Sequence, residues 1–183
     1  MGLKQKTCKS CRQKFVPSRP MQTACTPACA IAMAERKRQK QAQQEEARKR
    51  KEARQRLERI KTRAQWMKEA QAAFNAFIRA RDADRPCISC GRHHNGQYHA
   101  GHYLSVGSSP ELRFEELNVW KQCAPCNNHL SGNAVLYRRA LVELIGPEKV
   151  EWLEGPHQPK KYTIDDLKAI KAEYIKKRKE IEA

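Results

Sequence analysis

No stretch of this chain approaches the roughly 18 apolar residues that a membrane-spanning helix needs, and its first residues hold no apolar core of the secretory kind. Membrane insertion and export are set aside, and the expected location is the cytoplasm. Negative charge is scarce too: 37 Lys and Arg stand against 20 Asp and Glu, a formal net charge of +17 in 183 residues. So large an imbalance bears on partners rather than on fold. Nucleic acid leads, and an anionic membrane surface comes second. The length suits one modest domain with appendages, or two small ones.

Cysteine is present in number, and none stands alone. All eight fall into short paired spacings: Cys8-x2-Cys11, Cys25-x3-Cys29, Cys87-x2-Cys90 and Cys123-x2-Cys126. Without an export signal these read as two zinc sites in a reducing cytosol, in preference to disulfides. A tetrathiolate of Cys87, Cys90, Cys123 and Cys126 pins two distant segments together with one structural Zn2+ and fixes whatever lies between them. Cys8, Cys11, Cys25 and Cys29 form the other tetrad.

Three segments follow. Residues 1–30 are too short to bury a core, so a metal substitutes for one. This N-terminal zinc-binding module is either a small ribbon or treble-clef-like unit that contacts DNA or protein, or a stapled knob without a role of its own. Thr26-Pro27 suits the start of a short helix carrying Cys29. Residues 31–65 lack Gly and Pro, and apolar positions are almost absent before Leu57 and Ile60. Thirteen Lys and Arg face four Glu between Arg36 and Arg63. The prediction is a long solvated basic helix, acting as a DNA-contacting arm with strongly salt-dependent, sequence-blind binding or as a linker.

Residues 66–183 form the folded domain. Trp66, Met67, Ala70, Ala73, Phe74, Phe77 and Ile78 recur at helical spacing and mark a core-facing helix. His93–Ser109 reads as a short hairpin and loop. Helices are predicted over 133–145, closed by Gly146-Pro147, over 148–153, and after an N-cap at Thr163. The fold class is α+β and mostly helical.

Between and beside the second pair of knuckles lie His99-Ala100-Gly101-His102, then Asn118, then Asn127 directly after Cys126. Phosphodiester hydrolysis needs a base for water, charge stabilisation at the phosphate, and help for the leaving oxygen. A neutral imidazole, His102, suits the first. A divalent cation on hard oxygen ligands suits the others, and Asn118 and Asn127 carry such oxygens.

A histidine, an asparagine 16 residues on, and another 9 further beside a C-x2-C knuckle resemble the HNH, or ββα-metal, nuclease signature. The four-cysteine clasp with Asn after the last Cys is similar to the endonuclease VII type of Holliday-junction resolvase. Ala100-Gly101-His102-Tyr103, Leu112-Arg113-Phe114-Glu115, Leu117-Asn118-Val119, Lys121-Gln122-Cys123, Cys126-Asn127 and Ser131-Gly132-Asn133 resemble the lambdoid phage NinG proteins, also called Rap. The N-terminal cysteines and Tyr162–Tyr174 extend the likeness.

The resemblance implies a zinc-stapled ββα-metal core and a recombination endonuclease that cuts branched DNA, including Holliday junctions and D-loops. It implies a Mg2+ or Mn2+ requirement and action in the host cytoplasm. His102 would activate water, Asn118 would restrain the hairpin and the histidine backbone, and Asn127 would ligate the catalytic cation from the following helix. Paired cuts in a two-fold junction are most simply made by a homodimer. The other reading is a non-catalytic zinc protein that binds nucleic acid through its basic helix.

Many HNH sites carry Asp before the catalytic histidine, and here Gly101 stands in that position. His99 is a candidate ligand for the catalytic cation if the strand bends at Ala100-Gly101, although alternation turns it away from His102. His129 reads as a surface or DNA-facing residue and Asn133 as an outside candidate for the cation. His93 and His94 belong to a solvated turn. Arg113, Lys121, Arg138 and Arg139 are candidates for phosphate contacts.

Overall fold

The computed structural model describes residues 4–183. The chain divides into two compact units, Met1–Ile60 and Lys61–Ala183. In the first, strands β1 (Lys6–Thr7) and β2 (Lys14–Phe15) pair antiparallel, with Lys6 opposite Phe15. Arg12 adopts a left-handed φ of 63° in the turn between them, and its N–H donates to the Cys8 carbonyl at 2.9 Å.

Helix α1 then runs unbroken over Pro27–Ile60, 34 residues, with no buried residue. The short helix predicted to carry Cys29 and the basic helix predicted after it are one element. Pro27 lacks the amide that the first turn leaves unpaired anyway, and Thr26 Oγ1 accepts from the Cys29 N–H at 3.2 Å. Past Pro27 no Pro or Gly interrupts the run. Each glutamate of the 36–63 stretch pairs one turn away with a cation: Glu45 with Lys49, Glu46 with Arg50, Glu52 with Arg48, Glu58 with Arg54. Such exposed pairs stabilise a helix by only about 0.3–0.5 kcal/mol each, and most of the cations keep their charge unpaired.

The second unit is built on α2 (Arg63–Arg81) and α5 (Ile164–Ile181), which pack against each other. Both begin with a reciprocal capping box, Thr62 with Gln65 and Thr163 with Asp166. Phe74, Phe77 and Ile78 of α2 meet Tyr174 of α5, with the Phe74 and Tyr174 rings edge to face at 4.7 Å. Trp66 and Ala70 meet Leu167 and Tyr162. Burying each large apolar side chain contributes about 1.5–3 kcal/mol.

Against this pair lies a hairpin of β3 (Tyr98–His102) and β4 (Val119–Cys123), antiparallel with Tyr98 opposite Cys123 and His102 opposite Val119. Strand alternation divides its side chains. Val119 and Ala100 join the α2 cluster. Trp120 joins Tyr137 and Leu141 of α3 (Ala134–Ile145) and Val150 and Leu153 of α4 (Pro147–Glu154). The hairpin thus separates two apolar layers.

The structure corrects the hairpin and loop predicted within 93–109. That segment supplies one strand, and its partner comes from 119–123 across a connection holding two single turns of 3-10 helix, Pro110–Leu112 and Glu116–Asn118. Local pattern could not show a pairing closed over so long a loop. Among the described residues, no helix is long and apolar enough to cross a membrane.

Candidate functional site

Each cysteine tetrad is assembled, and each can hold a metal ion: within either group the four sulfurs lie inside 4.8 Å of one another. The sulfur–sulfur edges include 3.5 Å for Cys11–Cys25, 3.6 Å for Cys25–Cys29 and 4.0 Å for Cys90–Cys123. A tetrahedral zinc with Zn–S near 2.3 Å requires edges of about 3.8 Å, whereas a disulfide requires about 2.05 Å. The spacing therefore fits zinc and not bridges.

Titration follows the crowding. In the first tetrad Cys8 is lowered to about 6, chiefly by the Cys11 backbone N–H, and Cys25 is pushed up to about 12, chiefly by the neighbouring Cys11 thiol. In the second, burial pushes Cys126 up to about 12 and also raises Cys123. Burial works the same way on Cys87, but there the backbone N–H groups of Cys123, Cys90 and Ser89 outweigh it and the thiol is lowered. Cys29 is lowered as well, chiefly by the Thr26 hydroxyl; in each tetrad some thiols give up the proton readily and others hold on, so full deprotonation needs a cation.

The Cys87–Cys90 knuckle closes through Gly91, whose φ of 66° suits glycine and whose N–H reaches the Cys87 carbonyl at 2.8 Å. His94 does not sit in a free solvated turn as predicted. Its Nε2 lies 3.3 Å from Cys90 Sγ, where an N–H would donate to a thiolate. The C-x2-C-x3-His spacing was the available signal.

At the end of β3, His102 Nε2 lies 3.0 Å from the Arg113 carbonyl oxygen. A carbonyl only accepts, so Nε2 carries the proton and Nδ1 keeps the lone pair. Burial lowers the His102 pKa, and the Arg113 charge adds to this, against the opposing effect of the Arg113 carbonyl. The imidazole is therefore neutral at neutral pH.

Asn118 is fully buried. Its Oδ1 accepts from Leu104 N at 2.8 Å, and its Nδ2 donates to the carbonyls of Leu104 at 3.0 Å and Leu112 at 3.3 Å. Its own carbonyl accepts from Tyr103 N at 2.8 Å. Asn118 thus clamps the chain leaving His102 to the turn preceding Arg113. It positions His102 and is closed to solvent.

Asn127 stands on a single turn of π-helix, Pro125–His129, and not on the longer helix expected after the knuckle. Ser131, Gly132 and Asn133 follow with φ of 49°, 84° and 48°, and α3 starts only at Ala134. The Asn127 side chain is half-buried and donates through Nδ2 to Asn128 Oδ1 at 2.9 Å. No hydrogen bond among the described residues joins it to His99, His102 or Asn118. Asn133, the outside candidate for the cation, turns toward the second cysteine tetrad, its Nδ2 3.8 Å from Cys126 Sγ. His129 is exposed.

His99 shares the Gly101 face of β3 and is opposite Gln122 in the ladder; sequence reasoning passed over Gln122. Lys121 is not available to phosphate: it is buried, its Nζ donates to the Ala83 carbonyl at 2.6 Å and lies 4.4 Å over the Tyr98 ring. Arg138 forms a two-bond pair with Glu154 at 2.7 and 2.9 Å. Arg113 donates to Gln71 at 3.2 Å, while Arg139 remains exposed beside Glu143.

The family model described as "Bacteriophage Lambda NinG protein" matches residues 1–183. The chain belongs to the NinG family. It is similar to "Protein ninG" of Escherichia phage lambda, 46% identical over 190 residues that cover 97% of this chain and 93% of that protein. It is likewise similar to "Protein ninG" of Salmonella phage P22, 46% identical over 97% and 94% of the two chains. Against that of Escherichia phage 933W it is 44% identical over the same shares. No solved structure gives a significant match. Within the NinG family, then, the cysteine tetrads and the His102 hairpin belong to a chain aligned with its relatives almost end to end.

Proposed function

We propose that this NinG-family protein is a metal-dependent, structure-specific DNA endonuclease of the HNH type, cutting branched recombination intermediates such as Holliday junctions and D-loops. The observation that carries the reading is His102: a half-buried imidazole whose Nε2 is fixed on the Arg113 carbonyl at 3.0 Å and whose pKa is lowered by burial. That arrangement leaves a neutral, oriented Nδ1 lone pair, which a general base for water requires.

His102 takes a proton from the attacking water at Nδ1. Its positive charge is then shared with the Arg113 carbonyl, which strengthens its bond to Nε2–H as the ring charges. Asn118 holds that carbonyl and the strand end in register through Leu104 and Leu112. The donors present would hold a divalent cation that accepts both oxygen and nitrogen: Asn127 presents a carboxamide on the turn beside the second cysteine tetrad, and His99 presents an imidazole from the hairpin. Mg2+ or Mn2+ bound there supplies charge stabilisation at the phosphate and help for the leaving oxygen. The two zinc ions are structural. Four-way DNA incubated with the full chain is cut in Mg2+ or Mn2+ and left intact with chelator; absence of cutting under all divalent metals overturns the reading.

One observation favours the second reading, a non-catalytic zinc protein that binds nucleic acid. Helix α1 is exposed along its length and cationic beyond what its own glutamates neutralise. Junction binding without cutting distinguishes it. Action as a homodimer in the host cytoplasm completes the proposal.

A further inference from the structure

Among the described residues two buried side-chain polar atoms have no hydrogen-bond partner: Nε2 of His99 and Oε1 of Gln122. They belong to cross-strand partners in the β3–β4 ladder. Both side chains therefore leave the same face of the hairpin, from Cβ atoms about 5 Å apart. Buried polar atoms in folded proteins are nearly all paired, so two orphans side by side call for an ion or a water.

Gln122 is fully buried and its amide is oriented. Nε2 donates to Ser89 Oγ and to the Gly132 carbonyl, both at 2.6 Å. Because the Gly132 carbonyl accepts only, the nitrogen must face it and the oxygen must face away. Oε1 faces Gly101. A Cβ built on residue 101 would lie 2.2 Å from it, so this oxygen occupies the space that any side chain there would enter. Residue 101 cannot supply a ligand, and Gln122 puts an oxygen in its place. The Gly132 N–H in turn donates to the Cys126 carbonyl at 3.0 Å, which ties Gln122 to the turn carrying Asn127. The Asn127 Oδ1 accepts no hydrogen bond among the described residues.

We infer that Gln122 Oε1 and His99 Nε2, together with Asn127, bind one divalent cation, with Gln122 standing in for the side chain that Gly101 lacks. An imidazole nitrogen with two carboxamide oxygens suits Mn2+ or another first-row cation. That this cation serves catalysis rests on the nuclease reading above; that it binds here does not.

The test is Mn2+ titration of the zinc-loaded full chain, read as free Mn2+ by electron paramagnetic resonance. Wild type should bind one Mn2+. His99→Ala and Gln122→Met should each weaken it tenfold or more while zinc content stays unchanged. Gly101→Asp combined with Gln122→Ala, which places a carboxylate in the vacated space, should restore binding and covers the case in which Gln122→Met does not fold. Wild-type Mn2+ affinity in His99→Ala or in Gln122→Met, or no Mn2+ bound by wild type, overturns the inference and leaves a bridging water between the two atoms. Junction cutting is scored separately. Cutting by wild type with Mn2+ binding indifferent to Gln122 sinks this assignment alone, and Mn2+ binding through His99 and Gln122 without cutting sinks the nuclease reading alone.

Discussion

His102 and Arg113 meet through one bond, imidazole Nε2 to backbone carbonyl at 3.0 Å, and that bond decides which nitrogen keeps its lone pair. Burial lowers the histidine, and it outweighs the rise caused by the bond to a partner that is a carbonyl rather than a carboxylate. The acid limb of the cutting rate should therefore have its midpoint below the ordinary histidine value of 6.5. The sign carries over to folding: a lowered pKa means stability that is full above 6.5 and is lost as pH falls through the folded-state value. A rate profile between pH 5 and 8 with its midpoint above 6.5 would contradict the arrangement.

Asn118→Ala should unfold the hairpin connection more readily than it alters chemistry. The substitution strands the Leu104 N–H and the carbonyls of Leu104 and Leu112. At roughly 1 kcal/mol or more for each group left unpaired, the loss is about 2–4 kcal/mol. Urea denaturation of the zinc-loaded chain measures it, and a change below about 0.5 kcal/mol would show that Asn118 is not the clamp.

Metal content separates the two tetrads. Wild type should carry two zinc ions. Cys8→Ser should reduce this to one and leave the unfolding of Lys61–Ala183 unchanged, because the two units are compact in themselves. Cys123→Ser should also lose one zinc but disorder β4, whose last residue it is. Elemental analysis with circular dichroism reads both, and a chain that folds fully without zinc would refute the structural role.

Helix α1 is tested by charge. Replacing Arg48, Lys49, Arg50 and Lys51 with Gln should weaken binding to linear and branched DNA alike. It should also flatten the salt dependence by up to about 3.6 in log–log slope, about 0.9 for each phosphate no longer neutralised. Arg48, Lys49 and Arg50 are paired with glutamates, so their removal also bares negative charge. Unchanged affinity would make the helix a spacer.

Much of this architecture was legible in the chain because it is local. The apolar spacing of Trp66 to Ile78, the caps at Thr26 and Thr163, the Gly146-Pro147 stop and the paired cysteines each carry their signal within a few residues. What was not legible depends on packing between distant segments. The pairing of Tyr98–His102 with Val119–Cys123 needs a loop whose closure no periodicity records. Lys121 reads as a surface charge until its ammonium is found against Ala83 and Tyr98. Asn127 follows the knuckle as expected, but the turn after it breaks at Ser131–Asn133 and keeps it off a longer helix. Gln122 carried no sign at all, since a glutamine in a strand announces neither its burial nor the space beside Gly101 that its side chain fills.

Whether His102 is the base of a DNA-cutting site is decided by single-turnover cleavage of a labelled four-way junction by wild type and His102→Ala, in Mg2+ or Mn2+. Removal of a general base should slow cutting by about 10²–10⁴, with junction binding and zinc content unaltered. Full cleavage by His102→Ala would contradict that role.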